Sequence, residues 1–335
     1  MVTLRLFALC ACLLFTSVVA QDPLVKYWVH ESCLARPAMV EAIDEAILMA
    51  RLAASRMRNI NRDLDILKAF RRVFLTELYP RGTQPYPERQ AWDRVHWIMA
   101  NIGAARKYER MSDANTHIYC DDQDRWARLP TEGAMWFDTT PAYRVNVNGM
   151  TLPLFRDAGK PHCKMMVEGD TERIDDENHF ETYGVTYNLE AGAERYYGSW
   201  LSIITVCGPM CDAEITTLGA DRTRDWTRFP LTYNLDDDSD VDVDDDDFTT
   251  FGNGEIQGYA SVLVLHEFTH AGAFRTDDIE PAYGWRNIIR KPAQDALNNG
   301  ENYGYFGALA LLGAMGFKLS DNPAEAIEGR LVRAR

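Results

Sequence analysis

Val264-Leu265-His266-Glu267-Phe268-Thr269-His270 is an H-E-x-x-H sequence set in an apolar run that suits a helix. Residues four apart on an α-helix share a face, so both imidazoles can turn toward one metal ion. Glu267 follows the first histidine and can reach a water beside that metal. Two histidines of a buried helix, hydrogen-bonded to neighbours, would give the same pentapeptide, so the surrounding residues decide. Gly252, Gly254 and Gly258 allow a turn into the helix, which the pattern extends from about Ile256 to Ala273.

A catalytic zinc takes three protein ligands and keeps one position open. His266 and His270 are two, and the loop that follows offers three acids, Asp277, Asp278 and Glu280. Ligand chemistry accepts either acid type, so these residues by themselves leave the third ligand open. Such a metal lowers the pKa of a water and polarises a carbonyl, and Glu267 is the natural general base. Charge developing on the carbonyl oxygen calls for a further donor, for which Tyr283 is the candidate; its other role would be a packed aromatic.

Upstream, apolar residues at helical spacing predict three helices. Val40, Ile43, Ile47, Ala50 and Ala54 mark one from Pro37 to about Met57. Leu67, Phe70, Phe74 and Leu78 mark a second from Asp63 to Leu78, and Trp92, Val95, Met99 and Ile102 a third from Glu88 to Tyr108. His96 lies beside the last stripe and reads as structural. After Asn115 the texture changes. Thr116–Cys120 and Trp200–Cys207 read as strands, and Asn148-Gly149 joins 144–147 to 150–154 as a two-residue hairpin, with Pro153 on an edge. Residues 121–197, rich in Asp, Glu, Gly and aromatics, read as loops and edge strands. Asp236–Asp247 holds nine aspartates in twelve residues. It lacks the ordered spacing and glycine of an EF-hand loop and reads as a solvated loop, with steering of basic substrates as a lesser role. Ala293–Phe317 reads as a last helix.

The chain has 335 residues, 46% of them apolar, and a formal charge of −15. That charge gives no electrostatic reason to bind nucleic acid or anionic lipid. Arg5, the apolar run Leu6–Phe15 and small or modest residues at Val18-Val19-Ala20 form a secretory signal peptide over residues 1–20. We therefore expect a secreted, extracellular protein with disulfides. Five cysteines remain, Cys33, Cys120, Cys163, Cys207 and Cys211, so one is left over and the pairing is open. Cys207 and Cys211 have no second such pair, which argues against structural zinc there. No N-glycosylation sequon is present. Tyr303–Phe317 is short for a bilayer span, and the charged tail does not suit a lipid anchor. No membrane partner is expected.

His266-Glu267-Phe268-Thr269-His270, Thr276-Asp277-Asp278 and Tyr283-Gly284 together resemble the deuterolysin family of secreted fungal metallopeptidases, the aspzincins. The family signature is H-E-x-x-H followed by G-T-x-D-x-x-Y-G, its Asp being the third zinc ligand. Ala296-Leu297-Asn298-Asn299 with Tyr303, Ser32-Cys33 and Tyr119-Cys120-Asp121 are similar to family landmarks. The similarity frames Cys33 to Phe317 and is thin between these points. Two departures matter. Arg275 stands where the family has glycine, and four residues separate Asp278 from Tyr283 where the family has two. Alignment on Thr276 makes Asp278 the ligand; alignment on Tyr283 makes it Glu280. We favour Asp278 over Glu280, with Asp277 behind both.

The resemblance implies an α+β, zincin-like fold: an N-terminal helical layer, a small twisted sheet, the H-E-x-x-H helix and a C-terminal helix. Residues 21–335 would form one metallopeptidase domain, with insertions around 121–197 and the acidic loop 236–247. It implies a monomeric zinc metalloendopeptidase binding one Zn2+ per chain through His266, His270 and Asp278. Glu267 and Tyr283 would be catalytic and a protein or peptide the substrate, extended along a sheet edge. Family members that prefer lysine or basic stretches, and the acidic charge here, extend the expectation to basic substrates. About a dozen residues between Ala20 and Cys33 leave no room for a large inhibitory prodomain. The rival is a catalytically inactive secreted interaction or virulence protein on the same scaffold. The stretched Asp278–Tyr283 spacing favours it; the intact Glu267 argues against it.

Overall fold

In the computed structural model the described residues are 22–59, 63–75, 85–120, 125–128, 136–138, 140, 144–147, 150–153, 155–156, 183–189, 200–211, 216–220, 226–227, 231 and 256–334. The expected signal peptide (residues 1–20), Cys163 and the aspartate run lie outside them.

A strand comes first, β1 (Lys26–Val29), too short for periodicity to disclose. Helix α1 (Pro37–Arg58) follows, with Pro37 in its first turn, where no intrahelical N–H is needed. Its buried residues, among them Met39, Ile43, Ala46, Ile47, Ala50 and Ala54, make the expected stripe. Helix α2 (Leu64–Phe74) starts where the Asp63 carboxylate accepts the Ile66 N–H at 3.0 Å. Helix α3 (Pro85–Gly103) ends before the expected Tyr108, because Arg106–Lys107 leave it as strand β2. There they pair in parallel with Lys26 and Tyr27, so sheet hydrogen bonds win over helical continuation.

Strands β3 (Thr116–Cys120), β4 (Gly184–Leu189) and β5 (Leu201–Val206) complete a five-stranded sheet of order β2-β1-β3-β5-β4. β1, β2, β3 and β5 run parallel, and β4 pairs antiparallel with β5 at the edge. Every residue of β3 and β5 is buried, as expected for parallel strands covered on both faces. Tyr27, Val29, Ile118 and Ile204 point into the main core with the helices. On the other face, Trp28 meets Tyr119 and buried His117 edge to face, His30 lies tilted against Tyr119, and the Arg125 guanidinium sits over the Tyr119 ring. Cys33 and Cys120 form a disulfide closing a span of 87 residues. Loop-closure entropy makes that worth roughly 4–5 kcal/mol.

Helix α4 (Ala260–His270) carries the opening motif and is preceded by a 3-10 turn at Ile256–Gly258, so it is shorter at both ends than expected. Glu45 of α1 braces its start, accepting from Ser261 Oγ at 2.7 Å and from the Leu218 and Gly219 N–H groups at 2.6 and 2.8 Å. The expected helix Ala293–Phe317 is broken. A turn at Ala293–Ala296 is followed by α5 (Gly300–Ala314), because the Asn298 carbonyl accepts from Asp277 and the Gly300 N–H donates back to Asp277. Gly307 lets α5 lie against α4: a Cβ there would collide with Leu265 Cδ2. The chain ends in a small hairpin of Phe317–Leu319 with Leu331–Arg333.

The architecture is therefore mixed, with helices on one face of a small sheet, consistent with α+β. Within 121–197, residues 126–128, 136–138 and 155–156 form a three-stranded antiparallel sheet. The hairpin 144–147 with 150–153 has the register of a two-residue turn, Val147 opposite Met150. Among the described residues, no helix is long and apolar enough to cross a membrane.

Candidate metal centre

His266 and His270 occupy the last turns of α4, where His266 is 1% and Glu267 3% exposed. His266 Nδ1 lies 3.0 Å from Glu301 Oε2, and His270 Nδ1 lies 2.7 Å from the Thr276 carbonyl. Both acceptors want an N–H, so each ring keeps its proton on Nδ1 and turns a lone pair outward from Nε2. The two Nε2 atoms face each other at 2.8 Å. Asp278 Oδ1 stands 3.0 Å from His266 Nε2 and 3.5 Å from His270 Nε2. The three donor atoms lie within 4.8 Å of one another.

Two lone pairs and a carboxylate aimed at one point repel unless positive charge sits among them. Without a metal ion, a proton on the His266 ring supplies that charge. Burial works against a charged His266, yet the Asp278 and Glu301 carboxylates hold its pKa well above the ordinary value. Burial likewise opposes ionisation of Asp278, and the two imidazoles still hold its pKa far below the usual carboxylate range. Two imidazoles and a carboxylate are a zinc donor set, so the residues present fit that ion.

Of the three acids, Asp278 faces the histidines. Glu280 turns its carboxylate back on its own loop, accepting the Ala282 N–H at 3.3 Å. Asp277 is exposed and bonded through its backbone to Asn298 and Gly300. The loop is held from the residue that precedes α5: Asn299 accepts the Ile279 N–H at 3.0 Å and donates to the Ala282 carbonyl at 3.2 Å. Buried Lys291 donates to the carbonyls of Ile279 and Pro281. Arg275 sits at φ 52°, the left-handed region that accounts for glycine in the resembled signature.

Tyr283 stays with the site despite the longer spacing. Its ring stacks on His266 at 6.0 Å and 14°, and its hydroxyl bonds to Asp278. Burial and then the Asp278 carboxylate push the phenol's pKa well above its ordinary value, so it remains a protonated donor. Glu267 is held by the edge strand. Thr186 Oγ1 donates to Glu267 Oε2 at 2.7 Å, and a Cβ on Gly184 would meet Oε1 at 2.8 Å. Gly300 stands equally close to His270, where a Cβ would be 3.0 Å from Nε2.

Thr186, Gly184, Glu301 and Lys291 had no functional reading in the sequence, and Thr276 and Asn299 had only a place in the family resemblance. Two signals were there. Val185, Tyr187 and Leu189 alternate as a strand, and Glu301 is the one charge in an otherwise uncharged helix, which calls for a partner when buried. Other residues fall outside the group. His96 lies on α3 with a bond to the backbone of Ala54. Cys207 is disulfide-bonded and Cys211 keeps its thiol, donating to the Val206 carbonyl at 3.4 Å, so the two do not make a zinc pair.

No family model matches the chain. A stretch of 58 residues is 41% identical to a Neutral protease 2 homolog of Uncinocarpus reesii (strain UAMH 1704). The match covers 16% of this chain and 16% of that relative.

Proposed function

We propose that the chain is a secreted zinc-dependent endopeptidase of the deuterolysin type, with a zincin-like fold. The observation that carries this is the convergence of His266 Nε2, His270 Nε2 and Asp278 Oδ1 beside a buried glutamate held for proton transfer. The partial match to a protein named as a neutral protease supports it. The disulfide Cys33–Cys120 fits an extracellular setting.

His266, His270 and Asp278 would hold one zinc, which supplies Lewis acidity toward a water and a peptide carbonyl. The chain's own groups do the rest. Glu267 takes the proton of the attacking water and delivers it to the leaving amine nitrogen. Thr186 keeps one oxygen of Glu267 occupied and fixes its orientation, leaving the other for the proton. The Tyr283 hydroxyl donates to the oxygen on which negative charge develops. The outer edge of β4, which has no strand partner among the described residues, offers main-chain groups to an extended peptide. The substrate is a protein or peptide, and the formal charge of −15 favours basic ones. The working unit is one domain over residues 21–335, acting as a monomer.

The test is bound zinc and cleavage of a protein substrate for wild type and Glu267→Ala. The variant should keep its zinc and lose activity by orders of magnitude. Equal activity in both proteins would refute the mechanism. Zinc bound by both with no cleavage by either would favour the non-catalytic alternative.

A further inference from the structure

The loop from Asp278 to Tyr283 is two residues longer than in the family it resembles. It must still aim one carboxylate oxygen at two imidazoles. A longer loop has more conformations to lose, and a ligand is placed only as well as the backbone beneath it. Residues 298–300, where α5 begins, fix part of that backbone through Asp277, the Ile279 N–H and the Ala282 carbonyl. The carbonyls of Ile279 and Pro281, on either side of Glu280, are gathered by the Lys291 ammonium. Lys291 is only 5% exposed. It stands between the helical turns Trp285–Ile288 and Ala293–Ala296, whose Trp285, Ile288 and Ala296 are buried. The platform beneath it is thus anchored. A buried ammonium is costly unless fully bonded, and an apolar side chain would serve packing better. Lys291 is placed where the extra residues need donors.

Resting on the reading of His266, His270 and Asp278 as zinc ligands, we propose that Lys291 is a positioning residue for the third of them. By drawing the carbonyls of Ile279 and Pro281 together, it closes the widened loop so that Asp278 reaches both histidines. It touches neither substrate nor metal.

The test compares wild type, Lys291→Met, Lys291→Arg and Asp278→Asn. Zinc dissociation constants come from competition with a chromogenic chelator, and the visible spectrum of the cobalt-substituted protein reports the ligand set. Lys291→Met keeps the chain length and loses the donors. It should weaken zinc about 10–100-fold, the range for an outer partner of a ligand, and shift the cobalt spectrum toward that of Asp278→Asn. The urea midpoint of the metal-free variant should fall by no more than the equivalent of the two lost hydrogen bonds, because the burial cost of the charge is lost with them. Lys291→Arg should recover part of the affinity. Wild-type zinc affinity and cobalt spectrum in Lys291→Met would overturn the proposal while leaving the metal site intact. A wild type that binds no zinc would instead overturn the metal reading itself. Should Lys291→Met not fold, acetylation of the folded wild type decides. Lys291 should react about tenfold or more slowly than exposed Lys107, and equal rates overturn the tether.

Discussion

Gly300→Ala should separate metal affinity from fold stability. The added Cβ would lie 2.9 Å from His270 Cε1, 3.0 Å from Nε2 and 3.1 Å from Thr269 Oγ1. Favourable carbon contacts begin near 3.5 Å, so the ring must retreat by roughly half an ångström. Metal–ligand distances tolerate about 0.2 Å, so a bound zinc cannot absorb that shift. We expect zinc affinity to fall about 10–100-fold, or roughly 1.4–2.8 kcal/mol. The metal-free protein faces a smaller loss. Its His270 ring can turn aside for about 1 kcal/mol, the worth of the bond to the Thr276 carbonyl. Alanine in place of glycine returns about 0.4–1 kcal/mol by narrowing the unfolded chain. Chelator competition should therefore show weaker zinc binding while urea unfolding of the metal-free protein stays near wild type. A zinc dissociation constant within twofold of wild type would refute the packing argument.

Other outcomes follow from single contacts. Thr186→Val removes a 2.7 Å bond to a carboxylate oxygen, worth about 1.5–3 kcal/mol. Its kcat/KM on a peptide should fall roughly 10–100-fold with zinc content unchanged, and a loss under twofold would contradict the role given to Thr186. Arg275→Gly relieves a left-handed residue at φ 52°, a conformation that costs about 1–2 kcal/mol with a side chain. Glycine gives part of that back through the unfolded chain, so the melting temperature should rise by the equivalent of about 1 kcal/mol; an unchanged or lower value counts against the strain. His117 is fully buried, and desolvation lowers its pKa to about 4. Between pH 6.5 and 4 the unfolded chain binds a proton that the folded one refuses, so stability should fall with pH by about 3 kcal/mol across that window. Urea midpoints of wild type and His117→Asn as a function of pH should diverge there, and parallel curves would exclude His117 as the source.

Periodicity and local chemistry disclosed a good part of this protein. The shared face of His266 and His270 is fixed by the geometry of one helical turn. The stripes of α1 and α2 and the apolar runs of β3 and β5 were legible for the same reason, since burial imposes a spacing on neighbouring residues. Three acids after the helix could be named because a ligand must follow within reach. Tertiary structure decided what spacing could not. Asp278 turns its carboxylate to the two imidazoles while Glu280 turns back on its own loop, and the bonds that hold that loop come from Asn299 and Lys291. Cys33 finds Cys120 across 87 residues. The helix expected from Ala293 breaks because Asp277 bonds to the backbone at Asn298 and Gly300. Glu301 reaches His266 across 35 residues, and Thr186 reaches Glu267 across 81. A sequence displays which residues can do chemistry, since that is a property of each side chain and its near neighbours. Which of them share a proton or a metal depends on hydrogen bonds between segments that meet only when the sheet and α5 close around α4.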